Sequence, residues 1–344
     1  KTNYFLFTPL LHEVATGGLS PTSVVEPIRE VLRHNTIHFI QDEVKSIDPV
    51  AKQVTTVNRS IGYDFLVISS GAETNYYGTA GAVDNTLTLK NLNDALSIRK
   101  RIIDACEKAA HIPDDEERRR LLSCVVVGGG ATGVELSAEI IEFMQETLCS
   151  YYGNTCHLKK SDMQVTLVSA SPDLLPPFPP ALRAIAKSEL IRKGIRVMTG
   201  ETVTEVKQNK IIFADKSFVE AGMIIWVAGV KPSSPDIAGV EKEKNGRLKI
   251  DEFLRVLGKT DIFSLGDVGG TAPMLAQVAV QQGKIVAKNI AATIDGTSLI
   301  PFKFMEKGLL ISLGQWYAAG RIFGVTMKGP VMWLIWRTVY LFNF

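Results

Sequence analysis

The sequence has 344 residues, 46% hydrophobic and 22% charged, with a formal net charge of +2. That length allows two domains, that apolar share supplies full cores, and that charge excludes the strongly basic surface of a nucleic-acid binder. The four cysteines (Cys106, Cys124, Cys149 and Cys156) contain no C-x-x-C pair, and the five histidines form no ligand cluster with them. A disulfide framework, a zinc site and a dithiol centre are therefore not expected, no metal is assigned, and a reducing compartment fits. No secretory signal is expected from the first residues, and no run reaches the ~20 apolar residues of a spanning helix.

In chain order, Phe65–Ser69 reads as a buried strand ending before Gly71, and Leu92–Ala110 reads as a helix. Asp114–Arg120 (DDEERRR) reads as a solvated charge run at a linker or helix end. Cys124–Val127 is a valine-rich strand running into Gly128, and Val134–Thr147 is helical. Gln164–Val168 forms the next strand. Pro172–Pro180 (PDLLPPFPP) holds too much proline for regular structure. Met223–Val227 leads to Ala228-Gly229, and Ile262–Leu265 leads to Gly266-Asp267. Strands ending in glycine that alternate with helices define an α/β fold with parallel sheets.

The sharpest motif is VVVGGGATGVELSAE, which gives Gly128-x-Gly130-x-x-Gly133 between a strand and a helix. Gly128 permits the tight turn, Gly130 lets a pyrophosphate approach the backbone, and Gly133 allows close helix–strand packing. The motif indicates a nicotinamide dinucleotide at a helix N-terminus. The next strand should end in an acid for the ribose 2′-hydroxyl; Ser169 stands there instead. A missing acid removes a contact to the hydroxyl and a repulsion against a 2′-phosphate, so NADH and NADPH both remain open. Gly266-Asp267 looks like the late half of an FAD site, with the Asp267 carboxylate accepting a hydrogen bond from a ribityl hydroxyl. Phe65–Ala72 resembles the segment that flavoprotein reductases place beside FAD.

With these motifs the chain resembles the type II NADH:quinone oxidoreductases, the single-subunit NADH dehydrogenases that do not pump protons. The resemblance covers nearly the whole chain. It rests on YFLFTPLLHEVATG at Tyr4–Gly17, SVVEPIR at Ser23–Arg29, VVVGGGATGVELSAEI at Val125–Ile140, WVAGV at Trp226–Val230, IFSLGD at Ile262–Asp267 and AQVAVQQG at Ala276–Gly283. It implies two nested Rossmann-like domains. The FAD domain (1–110 and 240–300) is interrupted by an NAD(P)H domain (111–239), and a membrane-anchoring and dimerisation segment follows at 301–344. FAD would lie against Thr8-Pro9-Leu10, Ser70-Gly71 and Gly266-Asp267, with Ala228, Gly229 and Ala276 among the cofactor contacts. Gln277 and Gln281, one helical turn apart, would share a face at the quinone mouth. Lys307 would approach the flavin and quinone pocket. Glu135 would lie near nicotinamide and flavin and assist proton traffic. The family opens with a further strand–G-x-G-x-x-G–helix and continues with a further amphipathic helix, so the sequence is expected to be part of a longer protein.

The last stretch, Val331–Phe344 (VMWLIWRTVYLFNF), carries Arg337 as its single charge. It is too short to span a bilayer, and Trp333, Trp336, Tyr340 and Arg337 suit a headgroup boundary. From Pro301 onward five basic residues face Glu306 alone, which favours an anionic membrane surface. The resemblance implies a peripheral, monotopic homodimer on the cytoplasmic face of the cell membrane. Two other readings compete. A sulfide:quinone reductase would need cysteines beside the flavin, whereas all four lie in or beside the nicotinamide domain. A redox-sensing module would bind NAD(P)H without turnover.

Overall fold

The computed structural model describes residues 2–33, 36–152, 158–270 and 272–343. Contacts divide the chain into two compact units. The first comprises Lys1–Asn3, Ile28–Glu73 and Val230–Glu306, and the second Tyr4–Pro27, Thr74–Gly229 and Lys307–Phe344. This division groups the chain differently from the sequence expectation: Tyr4–Pro27, 74–110 and 307–344 cluster with the four-stranded sheet, and 230–239 and 301–306 with the first unit. The reason is burial. All five residues of the helix Leu11–Ala15 are buried, and this helix packs against the helices Leu92–Ala109 and Ala131–Glu142.

The second unit is built on a four-stranded parallel sheet, in the order Arg196–Thr199, Gln164–Ser169, Ser123–Val127, Met223–Trp226. Four successive residues of Ser123–Val127 and of Met223–Trp226 are buried, as expected of strands covered on both faces. The helix Leu92–Ala109 starts at a capping box: the Asp94 amide donates to Asn91 Oδ1 (3.0 Å) and the Asn91 amide to Asp94 Oδ2 (3.3 Å). It buries Ala95, Ile98, Ile102, Cys106 and Ala109, a stripe at helical period. The glycine-turn helix Ala131–Glu142 does not run on as an α-helix to Thr147. A π-helical segment, Phe143–Leu148, follows it, and there the Gln145 amide donates to the Lys160 and Met163 carbonyls (3.2 and 3.4 Å).

The charged run 114–120 is a correction to the sequence reading. It forms the helix Asp115–Leu121 with Asp114 as its cap, and the Arg118 side chain is buried. Its guanidinium donates to the Ile112 and Pro113 carbonyls (both 2.9 Å), to Asp162 and to Asp115. A run that looks solvated thus supplies one inward cation. The prolines behave as read until Pro180, which opens the helix Pro180–Arg192 at a position that needs no amide donor. Cys106 and Cys124 are buried free thiols and Cys149 is half-buried, while Cys156 lies outside the described residues.

An antiparallel sheet of Leu309–Ser312, Ala318–Ile322 and Val325–Gly329 precedes the helix Pro330–Asn343. This helix corrects the reading of its aromatics. Met332 and Trp336 are buried in the unit's own core, and Trp333 and Tyr340 pack against it. Val331, Leu334 and Val339 remain exposed.

The first unit carries an antiparallel set, Val44–Asp48, Gln53–Thr56 and Ser60–Gly62, with Asp236–Ile237 parallel to Val44–Asp48. Ile262–Ser264 runs parallel to Leu66–Ile68, and the helix Ala276–Asp295 follows. Ile47, Ile68, Leu248, Val256, Ile262 and Val268 form its core.

Trp336→Ala is expected to cost the protein about 3–5 kcal/mol in denaturant unfolding. Leu334→Ala, on the exposed side of the same helix, is expected to cost less than ~0.5 kcal/mol.

Candidate functional site

The glycine turn of the second unit leaves the C-terminal edge of its parallel sheet, where ligands bind in open α/β sheets. Gly128 has a φ of +134°, and a side-chain carbon there would lie 2.7 Å from the Ala228 nitrogen. At Gly133 a side-chain carbon would lie 1.8 Å from the Gly128 carbonyl oxygen. The helix therefore packs directly on the turn. At Gly130 the same carbon would meet no protein atom within 4 Å. One face of the turn is thus open to a ligand while the other two glycines are locked against backbone, and the turn fits a dinucleotide pyrophosphate.

Ser169 ends the neighbouring strand, and its Oγ lies 2.4 Å from where a side-chain carbon at Gly129 would sit. The strand-end residue therefore stands beside the glycine turn, where the ribose contact is expected. Val227-Ala228-Gly229 borders Gly128, and the Tyr77 hydroxyl covers Gly229. No sequence signal marked Tyr77.

Behind the turn lies a group of acids that the sequence reading only touched. Glu135 is buried and accepts a hydrogen bond from the Ser312 amide (3.0 Å). Burial pushes its pKa up to about 8. The His12 ring stands between two of these acids, Nδ1 4.0 Å from Glu135 and Nε2 3.5 Å from Glu139. His12 is held neutral, its pKa lowered to about 4, chiefly by burial. Its Nε2 has no hydrogen-bond partner among the described residues. Burial also raises the Glu139 carboxyl well above its ordinary value, and Thr16 Oγ1 donates to it (2.9 Å). Glu13 meets Arg337 through two contacts of 2.5 and 2.6 Å, yet burial outweighs the pairing and raises its pKa too. His12, Glu13 and Glu139 bring donor atoms within 4.8 Å of one another, a cluster no sequence spacing signalled, and Arg337 supplies the positive charge there. Arg337 is therefore a partner of Glu13 rather than a headgroup contact, a second correction for the terminal helix. Glu13, Glu139, Arg337, Trp316 and Trp333 border a cleft of about 270 Å³. Trp333 and Arg337 carry only a headgroup reading in the sequence, and Glu13, Glu139 and Trp316 carry no role there, because they come from three distant segments with no common spacing.

In the first unit, Ser264 pairs with Ile68 in parallel register, so Ser70-Gly71 and Gly266-Asp267 leave adjacent strands at one edge. Gly266 takes a φ of +71°. Asp267 is partly exposed, and no hydrogen bond from the described residues reaches its carboxylate, which leaves that acceptor available to a ligand hydroxyl. Ser70 Oγ donates to the Ser233 carbonyl (2.5 Å). Ala276 opens its helix with no side-chain cap at Leu275, and the Val278 and Ala279 amides donate to the Leu275 carbonyl (3.0 and 3.2 Å). Gln277 and Gln281 share that helix. The Gln281 amide bonds the Met305 backbone in both directions (2.9 and 3.1 Å), an anchoring role absent from the sequence reading.

Among the residues assigned from sequence, the first unit holds Ser70, Gly71, Gly266, Asp267, Ala276, Gln277 and Gln281. The second holds Thr8, Pro9, Leu10, Gly128, Gly130, Gly133, Glu135, Ser169, Ala228, Gly229 and Lys307. Thr8–Leu10 forms a short 3-10 turn, and Lys307 is exposed.

Residues 1–283 match the family model described as pyridine nucleotide-disulphide oxidoreductase. The structure of NDH2 from Plasmodium falciparum in complex with NADH superposes with a TM-score of 0.89 at 23% identity, covering 98% of this chain and 87% of that one. The sulfide:quinone oxidoreductase of Aquifex aeolicus reaches 0.77 at 20% identity, covering 99% and 82%. At these identities the likeness is one of fold. Fold and glycine turn are those of a pyridine nucleotide-disulphide oxidoreductase. The type II NADH:quinone oxidoreductase Ndh of Mycobacterium tuberculosis is 32% identical over 362 residues, covering 99% of this chain and 77% of that protein. The type II NADH:quinone oxidoreductase of Staphylococcus aureus (strain NCTC 8325) is 31% identical over 342 residues, covering 96% and 83%. The chain belongs to the type II NADH:quinone oxidoreductases.

Gly130→Ala is expected to leave the thermal midpoint unchanged while weakening NADH binding, because the added carbon enters only the ligand's space. Gly133→Ala is expected to lower both. Fluorescence titration with NADH and thermal melts separate the two. Glu135 keeps its proton in the fold up to about pH 8 but ionises near pH 4.5 when unfolded. Its contribution to stability is thus present at low pH and lost as pH rises through that window. Melts of Glu135→Gln should gain on the wild-type protein between about pH 5 and pH 8.

Proposed function

We propose that this protein oxidises NADH and reduces a quinone through bound FAD, without pumping protons. The observation that carries the reading is the pair of sequence-matched sites. One is a glycine turn whose Gly130 face is open, and the other is a Gly-Asp turn whose carboxylate takes no hydrogen bond from the described residues, in a chain of this family.

FAD, when bound, supplies the two-electron relay between the two substrates. The chain's residues bind and orient. The amides of the glycine turn and the N-terminus of Ala131–Glu142 hold the NADH pyrophosphate. Asp267 would hold the flavin nucleotide by accepting a hydrogen bond from one of its hydroxyls. Gln277 faces the quinone, and Gln281 fixes the Met305 segment behind it. Lys307 supports the negative charge that develops on reduction. Quinone reduction by NADH consumes a proton from solvent besides the hydride. Glu135, protonated at neutral pH, is the carboxyl suited to hold it. The sulfide reading loses support because burial raises the Cys106 and Cys124 thiols to about 12, which keeps them unreactive.

No described helix is long and apolar enough to cross a membrane. The exposed side of the terminal helix (Val331, Leu334 and Val339) shares the C-terminal segment with exposed Phe323, Val325, Arg321 and Lys328. Apolar and basic groups together support monotopic attachment to an anionic, cytoplasm-facing membrane surface. The family resemblance adds a homodimer formed through this segment.

Full-length protein should show a flavin absorption band that bleaches with anaerobic NADH and returns on adding a quinone. A band indifferent to NADH would sink the proposal. Ser169→Glu should shift the kcat/KM ratio toward NADH over NADPH. Leu334→Asp should reduce co-sedimentation with anionic vesicles while leaving the melt unchanged, whereas equal sedimentation would refute the attachment face.

A further inference from the structure

Arg247 was not marked by any motif, yet it is buried in the first unit at 4% exposure. Its Nη2 donates to the Gly266 carbonyl (3.1 Å) and the Gly269 carbonyl (2.6 Å), and its Nη1 to the Ala272 carbonyl (2.7 Å). From the other direction, the Gly266 amide donates to Gln282 Oε1 (2.7 Å), and Gln282 is itself 1% exposed. Both polar groups of the Gly266 backbone are therefore gripped by buried side chains.

The cost of this arrangement shows that it is not filler. Among the described residues no carboxylate forms an ion pair with Arg247. Asp267 and Glu243 act on it only at longer range, and burial lowers its pKa. A buried guanidinium without a paired acid is less favourable than packed hydrocarbon of the same volume. Hydrocarbon, however, cannot turn three carbonyls inward. A planar peptide bond sets its N–H opposite its C=O. With the Gly266 carbonyl drawn to Arg247, the Asp267 amide must point away from it. The turn then offers Asp267 in one fixed conformation.

We propose that Arg247, backed by Gln282, is the positioning residue that presents Asp267 to the flavin nucleotide. This rests on the reading of the Gly-Asp turn as part of an FAD site. Lysine keeps the charge but lacks the planar fork that reaches three acceptors, and methionine lacks both.

The test is a flavin-fluorescence titration of the full-length apoprotein, with NADH titration and a thermal melt on each variant. Arg247→Lys should weaken FAD binding roughly tenfold or more, and Arg247→Met further. NADH affinity, set by the glycine turn of the other unit, should stay constant. Gln282→Leu should weaken FAD in the same selective way, and it carries the test if Arg247→Met fails to fold. Unchanged FAD affinity in both Arg247→Lys and Gln282→Leu would overturn the inference. So would a parallel loss of NADH binding, which marks general unfolding. A wild-type protein that binds no FAD would instead refute the flavin reading on which this one stands.

Discussion

The contact between Gly133 and the Gly128 carbonyl is the constraint on which the nucleotide unit depends. There is no room for a side-chain carbon between them. That closeness sets the helix Ala131–Glu142 directly on the strand Ser123–Val127 and aims the helix N-terminus at the edge of the sheet. It also fixes where every later residue of the helix falls. Glu135 and Glu139, one turn apart, are carried inward to meet His12 because the first turn of the helix cannot stand off from the sheet.

Those inward acids explain the course of the termini of the second unit. Three carboxyls in one buried region are tolerated only by proton retention, hydrogen bonds and a countercharge. Ser312 supplies an amide to Glu135, Thr16 a hydroxyl to Glu139, and Arg337 a guanidinium to Glu13. The antiparallel sheet and terminal helix are therefore held by polar contacts as well as by Met332 and Trp336. The same helix turns Val331, Leu334 and Val339 outward, so a single element both closes the core and leaves an apolar surface.

The first unit solves a related problem with the opposite charge. Its Gly-Asp turn is short and glycine-rich, and glycine provides freedom without direction. Arg247 and Gln282 restrict that freedom from two sides. Buried polar side chains often act in this way, exchanging stability for one defined conformation.

Much of this was legible in the residues. The strands Leu66–Ile68, Ser123–Val127, Gln164–Ser169, Met223–Trp226 and Ile262–Ser264, the glycine turn, the Gly-Asp turn and the family can be read from local sequence, because each rests on nearest-neighbour physics. Glycine at fixed offsets, valine-rich strands and helical period are of this kind. The sequence by itself determined where the glycine turn falls, and the close backbone contacts at Gly128 and Gly133 give the physical reason for those glycines. Tertiary structure alone decided the roles of Arg118, Arg247 and Arg337, all of which look like surface charges in the sequence. It decided, too, that His12 and Glu139 meet although they stand 127 positions apart in the chain. The charge of a side chain is written in the sequence, but its burial and its partner depend on which distant segments pack beside it.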